Sequence, residues 1–167
     1  MSDKLAMIDK VMEEHHAIRG HVKLVGDSVS DIEAVFSLQQ AHARWSQSSL
    51  ETLSEKQKQL EQAINYLDDG LKNHFSFEEK ALFPLLGDLL SRALMLEHRD
   101  TINKIQKAKE MVKDTKLEGL NRNEMLSQKS FMQQILSNIC QSVEEHAANE
   151  EMILKLMKRA LQHEGNN

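Results

Sequence analysis

Turn-forming and sheet-forming chemistry are both scarce in this sequence. Proline occurs once, at Pro84, glycine six times, and aromatic residues make up 4% of the chain. A β-sandwich or barrel needs many Gly/Pro turns and aromatic or β-branched strands, so these shortages exclude the all-β classes and leave an all-α fold as the expectation. Cysteine also occurs once, at Cys140, which excludes an internal disulfide and fits a reducing compartment. No apolar run reaches the roughly 18 residues of a membrane span, so no membrane association is expected. The opening MSDKLAMIDK lacks the apolar core of a secretory signal, and a cytoplasmic location follows as the expectation. Nor is there an excess of positive charge. The formal net charge is −5, whereas non-specific nucleic-acid binding needs clustered Lys and Arg.

What is present is a globular balance of 40% apolar and 28% charged residues over 167 positions. That suits a single domain over 1–167, able to bury about two-thirds of its unfolded surface. Four segments place apolar residues three and four apart, the spacing of one helix face. The first seam runs Ile8, Val11, His15, Ile18, Val22, Val25, and the second runs Leu60, Ile64, Leu67, Leu71, His74, Glu78, Leu82, Leu85. The third reads Met95, His98, Ile102, Ile105, Ala108, Val112, and the fourth Met132, Leu136, Ile139, Val143, His146, Glu150, Ile153, Met157.

Punctuation sets the expected boundaries. Gly26-Asp27-Ser28 reads as the end of the first helix, with Gly at the left-handed cap position. Pro84 removes a helical hydrogen bond and should end or kink the second helix. Gly87-Asp88 separates the second and third helices, with Asp88 as N-cap, and a further turn falls around Gly119 to Asn123. Residues 29–53, with Phe36, Leu38 and Trp45, read as a short extra helix and loop packed on one end. Short connections elsewhere favour antiparallel neighbours, so the expected architecture is an up-down-up-down four-helix bundle.

Six seam residues do not belong in an apolar core: His15, His74, Glu78, His98, His146 and Glu150. Burying an isolated carboxylate costs several kcal/mol, on the order of 5, or forces it to take a proton. Two carboxylates and four imidazoles on one interior therefore need a common partner, which a metal ion supplies. His74 and Glu78 are one turn apart, as are His146 and Glu150, so each pair lies about 6 Å apart on one face. His15 and His98 add one nitrogen each from the other helices. This nitrogen and carboxylate set suits iron or manganese, and its lack of sulfur speaks against structural zinc.

Singly, a histidine on an apolar face is more often a satisfied core residue, and roughly one HxxxE pair would arise by chance. The weight lies in the order His, HxxxE, His, HxxxE, with one unit on each helix and all in phase. The order is an internal repeat: Glu14-His15 is echoed by Glu97-His98, and His74-x-x-x-Glu78-Glu79 by His146-x-x-x-Glu150-Glu151. Two hairpins so related would place two ions about a pseudo-twofold axis. His16 is an alternative to His15. Tyr66, Glu79 and Glu151 are further candidate ligands, with packing or solvent-facing roles as the competing readings. His21, His42 and His163 lie off the seams and are expected at the surface.

The motifs EEHHAIR at 13–19, NHFSFEEKALFPLL at 73–86, LEHRDTI at 96–102 and EEHAANEEMI at 144–153 together resemble the hemerythrin-like, HHE-type cation-binding family. The resemblance spans nearly the whole chain. It implies a non-haem di-iron site, with Glu78 and Glu150 bridging two Fe ions beside an oxo or hydroxo bridge and the four histidines capping them. Manganese would satisfy the same donors. The chain departs from the oxygen-carrying hemerythrins at Ile102, where they carry a second helix-three histidine, and at Glu151, where they carry an aspartate. Fewer protein ligands leave a position for oxygen, nitric oxide or peroxide, unless His16, Tyr66, Glu79 or Glu151 fills it.

Three functions follow from the resemblance: a ligand-binding or sensing protein, a di-iron enzyme acting on peroxide or nitric oxide, and an iron or redox homeostasis protein read by a partner. A metal-free module, such as a phosphotransfer bundle, would carry its histidine on the surface rather than in the seams.

Overall fold

The computed structural model describes the backbone of residues 2–42 and 53–165, and side chains over 3–38 and 53–165. Four helices account for nearly all of it: α1 (Ser2–His42), α2 (Leu53–Ala81), α3 (Asp88–Asp114) and α4 (Arg122–Glu164). Each packs against two neighbours, in the cyclic order α1, α2, α3, α4, and neither diagonal pair is in contact among the described residues. With short links between α2 and α3 and between α3 and α4, this is the expected all-α antiparallel bundle. No helix among the described residues is long and apolar enough to cross a membrane.

The expected stop at Gly26-Asp27-Ser28 does not occur, because α1 runs unbroken to His42. Its seam carries on as Val25, Val29, Ile32 and Phe36, all buried, so tertiary burial continues the helix through a glycine that faces open space. The Ser28 and Ser30 hydroxyls donate to the carbonyls of Leu24 and Gly26 within the helix. The short extra helix expected between the first two helices is thus, as far as His42, the last part of α1. Leu38 is exposed, and Trp45 lies outside the described residues.

Other boundaries follow local chemistry. α2 ends at Ala81, and Pro84 sits in a 3₁₀ turn, Phe83–Leu85, where its missing N–H costs little. The cap of α3 is Gly87 at φ 78°, not Asp88, which is the first helical residue. Gly119, at φ 80°, turns the chain before α4, and the Asn121 side chain caps that helix by accepting the Glu124 N–H at 2.9 Å. In α3 the buried face is Leu94, His98, Thr101, Ile105, Ala108 and Val112. Met95 and Ile102, placed in the seam by spacing, are only half-buried. Leu154 replaces Ile153 as the buried residue of α4, Met157 is half-buried, and Leu85 is exposed.

The apolar core is divided in two. A large cluster includes Ile18, Leu60, Leu71, Ile105 and Ile139; a small one at the other end comprises Ile8, Val11, Leu82, Phe83, Leu94 and Leu154. Between them every helix contributes polar side chains to one layer.

Candidate metal centre

That layer contains His15 from α1, His74 and Glu78 from α2, His98 from α3, and His146 and Glu150 from α4, each at most 4% exposed. Their ligating atoms form two groups. His15, His74, Glu78 and Glu150 make one, Glu78, His98, His146 and Glu150 the other, and within each the atoms lie within 4.8 Å of one another. The two carboxylates are common to both groups. His15 Nε2 stands 3.3 Å from an oxygen of Glu78 and 3.3 Å from one of Glu150. His98 Nε2 is 3.0 Å from Glu78 Oε2, His146 Nε2 is 3.0 Å from Glu150 Oε2, and His74 Nε2 touches Glu78 Oε1.

The outer ring nitrogens determine what the inner ones can do. His15 Nδ1 donates to Glu151 at 3.2 Å, His74 Nδ1 to Glu14 at 2.5 Å, His98 Nδ1 to Glu79 at 3.0 Å, and His146 Nδ1 to Glu97 at 2.7 Å. An ionised carboxylate only accepts, so each ring's proton is on Nδ1 and a neutral imidazole presents a bare lone pair at Nε2. Those lone pairs face carboxylate lone pairs. Two of them, on His98 and His146, face each other at 3.0 Å. His74 Nε2, Glu78 Oε2 and both oxygens of Glu150 have no hydrogen-bond partner although buried. A convergence of acceptors in an apolar interior demands positive charge at its centre, and the donor set fits a metal cation.

Protons answer the same demand, in competition with a metal cation. Burial alone would raise the Glu78 carboxyl, yet the four surrounding imidazoles hold it far below the usual carboxylate range. Burial disfavours a charged His15, but Glu150 and Glu78 push it up to about 9. His146, likewise working against burial, is pushed up to about 10 by Glu150, Glu78 and Glu97. Against partial burial, Arg19 and His15 keep Glu151 lowered.

Aromatic packing holds one ring in place: His98 stacks on Phe75, with centroids 3.8 Å apart, and on Phe83 at 5.2 Å. A small cavity of about 10 Å³ touches the layer, lined by His15, His74 and His146 with apolar Ile18, Leu71, Phe75, Val143 and Ala147.

All six seam residues singled out by spacing are therefore together. His16 is exposed, one position off the buried face. Tyr66 is 58% exposed, and its hydroxyl accepts from Gln62 rather than reaching the layer. Glu79 and Glu151 bond the outer ring nitrogens of His98 and His15 instead of pointing to the centre. His21 and His163 are exposed, and the side chain of His42 lies outside the described ones. Sequence reasoning gave no role to Glu14 and Glu97, although each directly precedes a seam histidine and the repeat Glu14-His15, Glu97-His98 marked them. Phe75 and Phe83 were also missed.

An antiparallel four-helix bundle whose buried cross-section is a cluster of imidazoles and shared carboxylates defines a cation-binding domain. Over residues 6–157 the sequence matches the Hemerythrin HHE cation binding domain, and the chain belongs to that family. No curated protein and no solved structure matches it.

Proposed function

We propose that the centre holds two iron ions, one per group, and binds or senses a small ligand: oxygen, nitric oxide or peroxide. The observation that carries the reading is that two buried carboxylates, Glu78 and Glu150, belong to both groups, as bridging ligands must. His15 and His74 would hold one ion, His98 and His146 the other. Mixed imidazole and carboxylate donors without sulfur suit iron, and manganese would fit the same set. When bound, the pair supplies Lewis acidity and one-electron redox chemistry.

The chain's own residues do the rest. The outer glutamates keep the Nδ1 protons outward, so all four Nε2 lone pairs point to the centre. Phe75 and the other apolar cavity walls confine the space beside the centre. A cavity of about 10 Å³ holds about one water-sized molecule, which favours a diatomic ligand or peroxide over a larger organic substrate. A cytoplasmic site of action fits the lone, half-buried Cys140.

The alternative is a role in iron or redox homeostasis, favoured by one observation: the polar layer divides the core, so filling it would tie the two halves together. A di-iron enzyme acting on peroxide or nitric oxide would use the same centre and add steady turnover with that substrate. The test is metal content per chain in protein purified without chelator, with absorption spectra under air and after reduction. Two irons and an oxygen-sensitive near-ultraviolet band are expected. Protein that holds no metal and takes up no added ferrous ion would overturn the reading.

A further inference from the structure

The outer carboxylates form a closed, directional ring. Glu14 of α1 accepts from His74 of α2, Glu79 of α2 from His98 of α3, Glu97 of α3 from His146 of α4, and Glu151 of α4 from His15 of α1. Every helix thus orients the imidazole of the next one. An acceptor on the far ring nitrogen fixes the tautomer and ring angle of a ligating histidine and raises its basicity.

The four joints are not equally braced. Arg19 donates to Glu151 at 2.9 Å and is itself held by Glu144 at 3.0 Å. Asn149 donates to Glu97 at 2.8 Å, and Lys10 lies 3.8 Å from Glu14. Glu79 has His98 as its one polar partner among the described residues. It also borders an open groove of about 550 Å³ between α2 and α3, where His98, Phe75, Lys72, Arg99 and Ile102 form other parts of the lining. Of the four histidines, only His98 lines this groove; the other three line the small cavity.

We propose that Glu14, Glu79, Glu97 and Glu151 are positioning residues for the metal ligands, and that the unbraced Glu79–His98 joint beside the α2–α3 groove makes the His98/His146 position the exchangeable one. The inference rests on the two-ion reading above. The Glu79 carboxylate swings into the groove without breaking any other polar contact among the described residues, and the outer side of His98 is then held by its packing on Phe75 and Phe83 alone. In the opposite pair, releasing His15 means pulling Glu151 away from Arg19, and releasing His74 means pulling Glu14 away from Lys10. The groove is the passage through which a divalent cation leaves and returns.

The experiment follows ferrous ion released from the anaerobically loaded full-length protein to an excess of a chromophoric ferrous chelator. Two phases of equal amplitude are expected. Glu79→Ala should speed the fast phase about 10-fold or more and leave the slow one unchanged. Glu151→Ala should speed the slow phase. Glu79→Gln, which keeps an acceptor for the Nδ1 proton, should restore most of the fast-phase rate. The helical circular dichroism of each metal-free variant should match the parent, and which release phase accelerates should follow the position of the substitution rather than any fall in melting temperature, which separates positioning from a fold defect. Release of two ions in a single phase, or acceleration of the same phase by both alanine variants, would overturn this inference and leave the di-iron reading intact. A chain that takes up no ferrous ion would overturn both.

Discussion

Each imidazole of the central layer commits one nitrogen outward to a glutamate and presents the other inward, and that division separates the candidate ligands from their supports. Glu78 and Glu150 are each shared by both groups, whereas each histidine belongs to one. Glu78→Ala should therefore abolish loading at both positions, while His15→Ala should leave a chain that still retains a single ion. Metal per chain after desalting measures the difference, and equal losses in the two variants would contradict the sharing. The six inward residues were legible because each interrupts an apolar seam in phase. The outward glutamates were not, since a charge beside a seam reads as solvent-facing until a neighbouring helix brings its histidine within reach.

At the scale of the helices, the length of α1 offers a test with opposite signs. Were Gly26 a left-handed cap, alanine there would be strained. Inside a continuous helix with nothing within 4 Å of the added Cβ, Gly26→Ala should instead stabilise by about 1 kcal/mol, read from denaturant unfolding. Ile32→Ala, in the continued seam and 3% exposed, should cost about 2–5 kcal/mol.

A second test concerns α2 and α3, which are joined by Asp68. Its buried carboxylate accepts from Lys72 at 2.8 Å and from Lys109. Burial works to raise this carboxyl, but the two ammonium groups win and hold it below its usual value. A group depressed by folding contributes stability above its unfolded pKa of about 4 and loses it as pH falls through the folded one. Asp68→Asn should then cost about 1–2 kcal/mol near neutral pH. The gap from the parent should close below about pH 4; a gap independent of pH would mean the ion pairs contribute nothing.

For the whole molecule, the divided core should couple metal binding to folding. Among the described residues, the small cluster around Ile8, Val11, Leu82 and Leu154 is separate from the large one, and the polar layer lies between them, where partnerless buried acceptors are costly. Loading with ion at about 100 times its dissociation constant should stabilise the fold by about 2.7 kcal/mol per site. Chelation should lower the melting temperature accordingly. Hydrogen exchange should rise first in residues 2–14, 82–94 and 150–165, the segments around the small cluster. Uniform loss of protection along all four helices would mean the layer does not divide the bundle energetically.

Composition and periodicity alone determined the helical class, most of the four seams, the break at Pro84 and the six inward residues, because helix phase is a local property that spacing along the chain encodes. They misjudged the end of α1, since a glycine's local preference to stop a helix is weaker than the burial of Val29, Ile32 and Phe36 against neighbours far along the chain. Only the tertiary structure decided that Glu78 and Glu150 are shared, that each helix's outer glutamate serves the next helix's histidine, and that one of those joints stands unbraced beside a groove. Those are relations between helices, and no seam read along a single helix contains them.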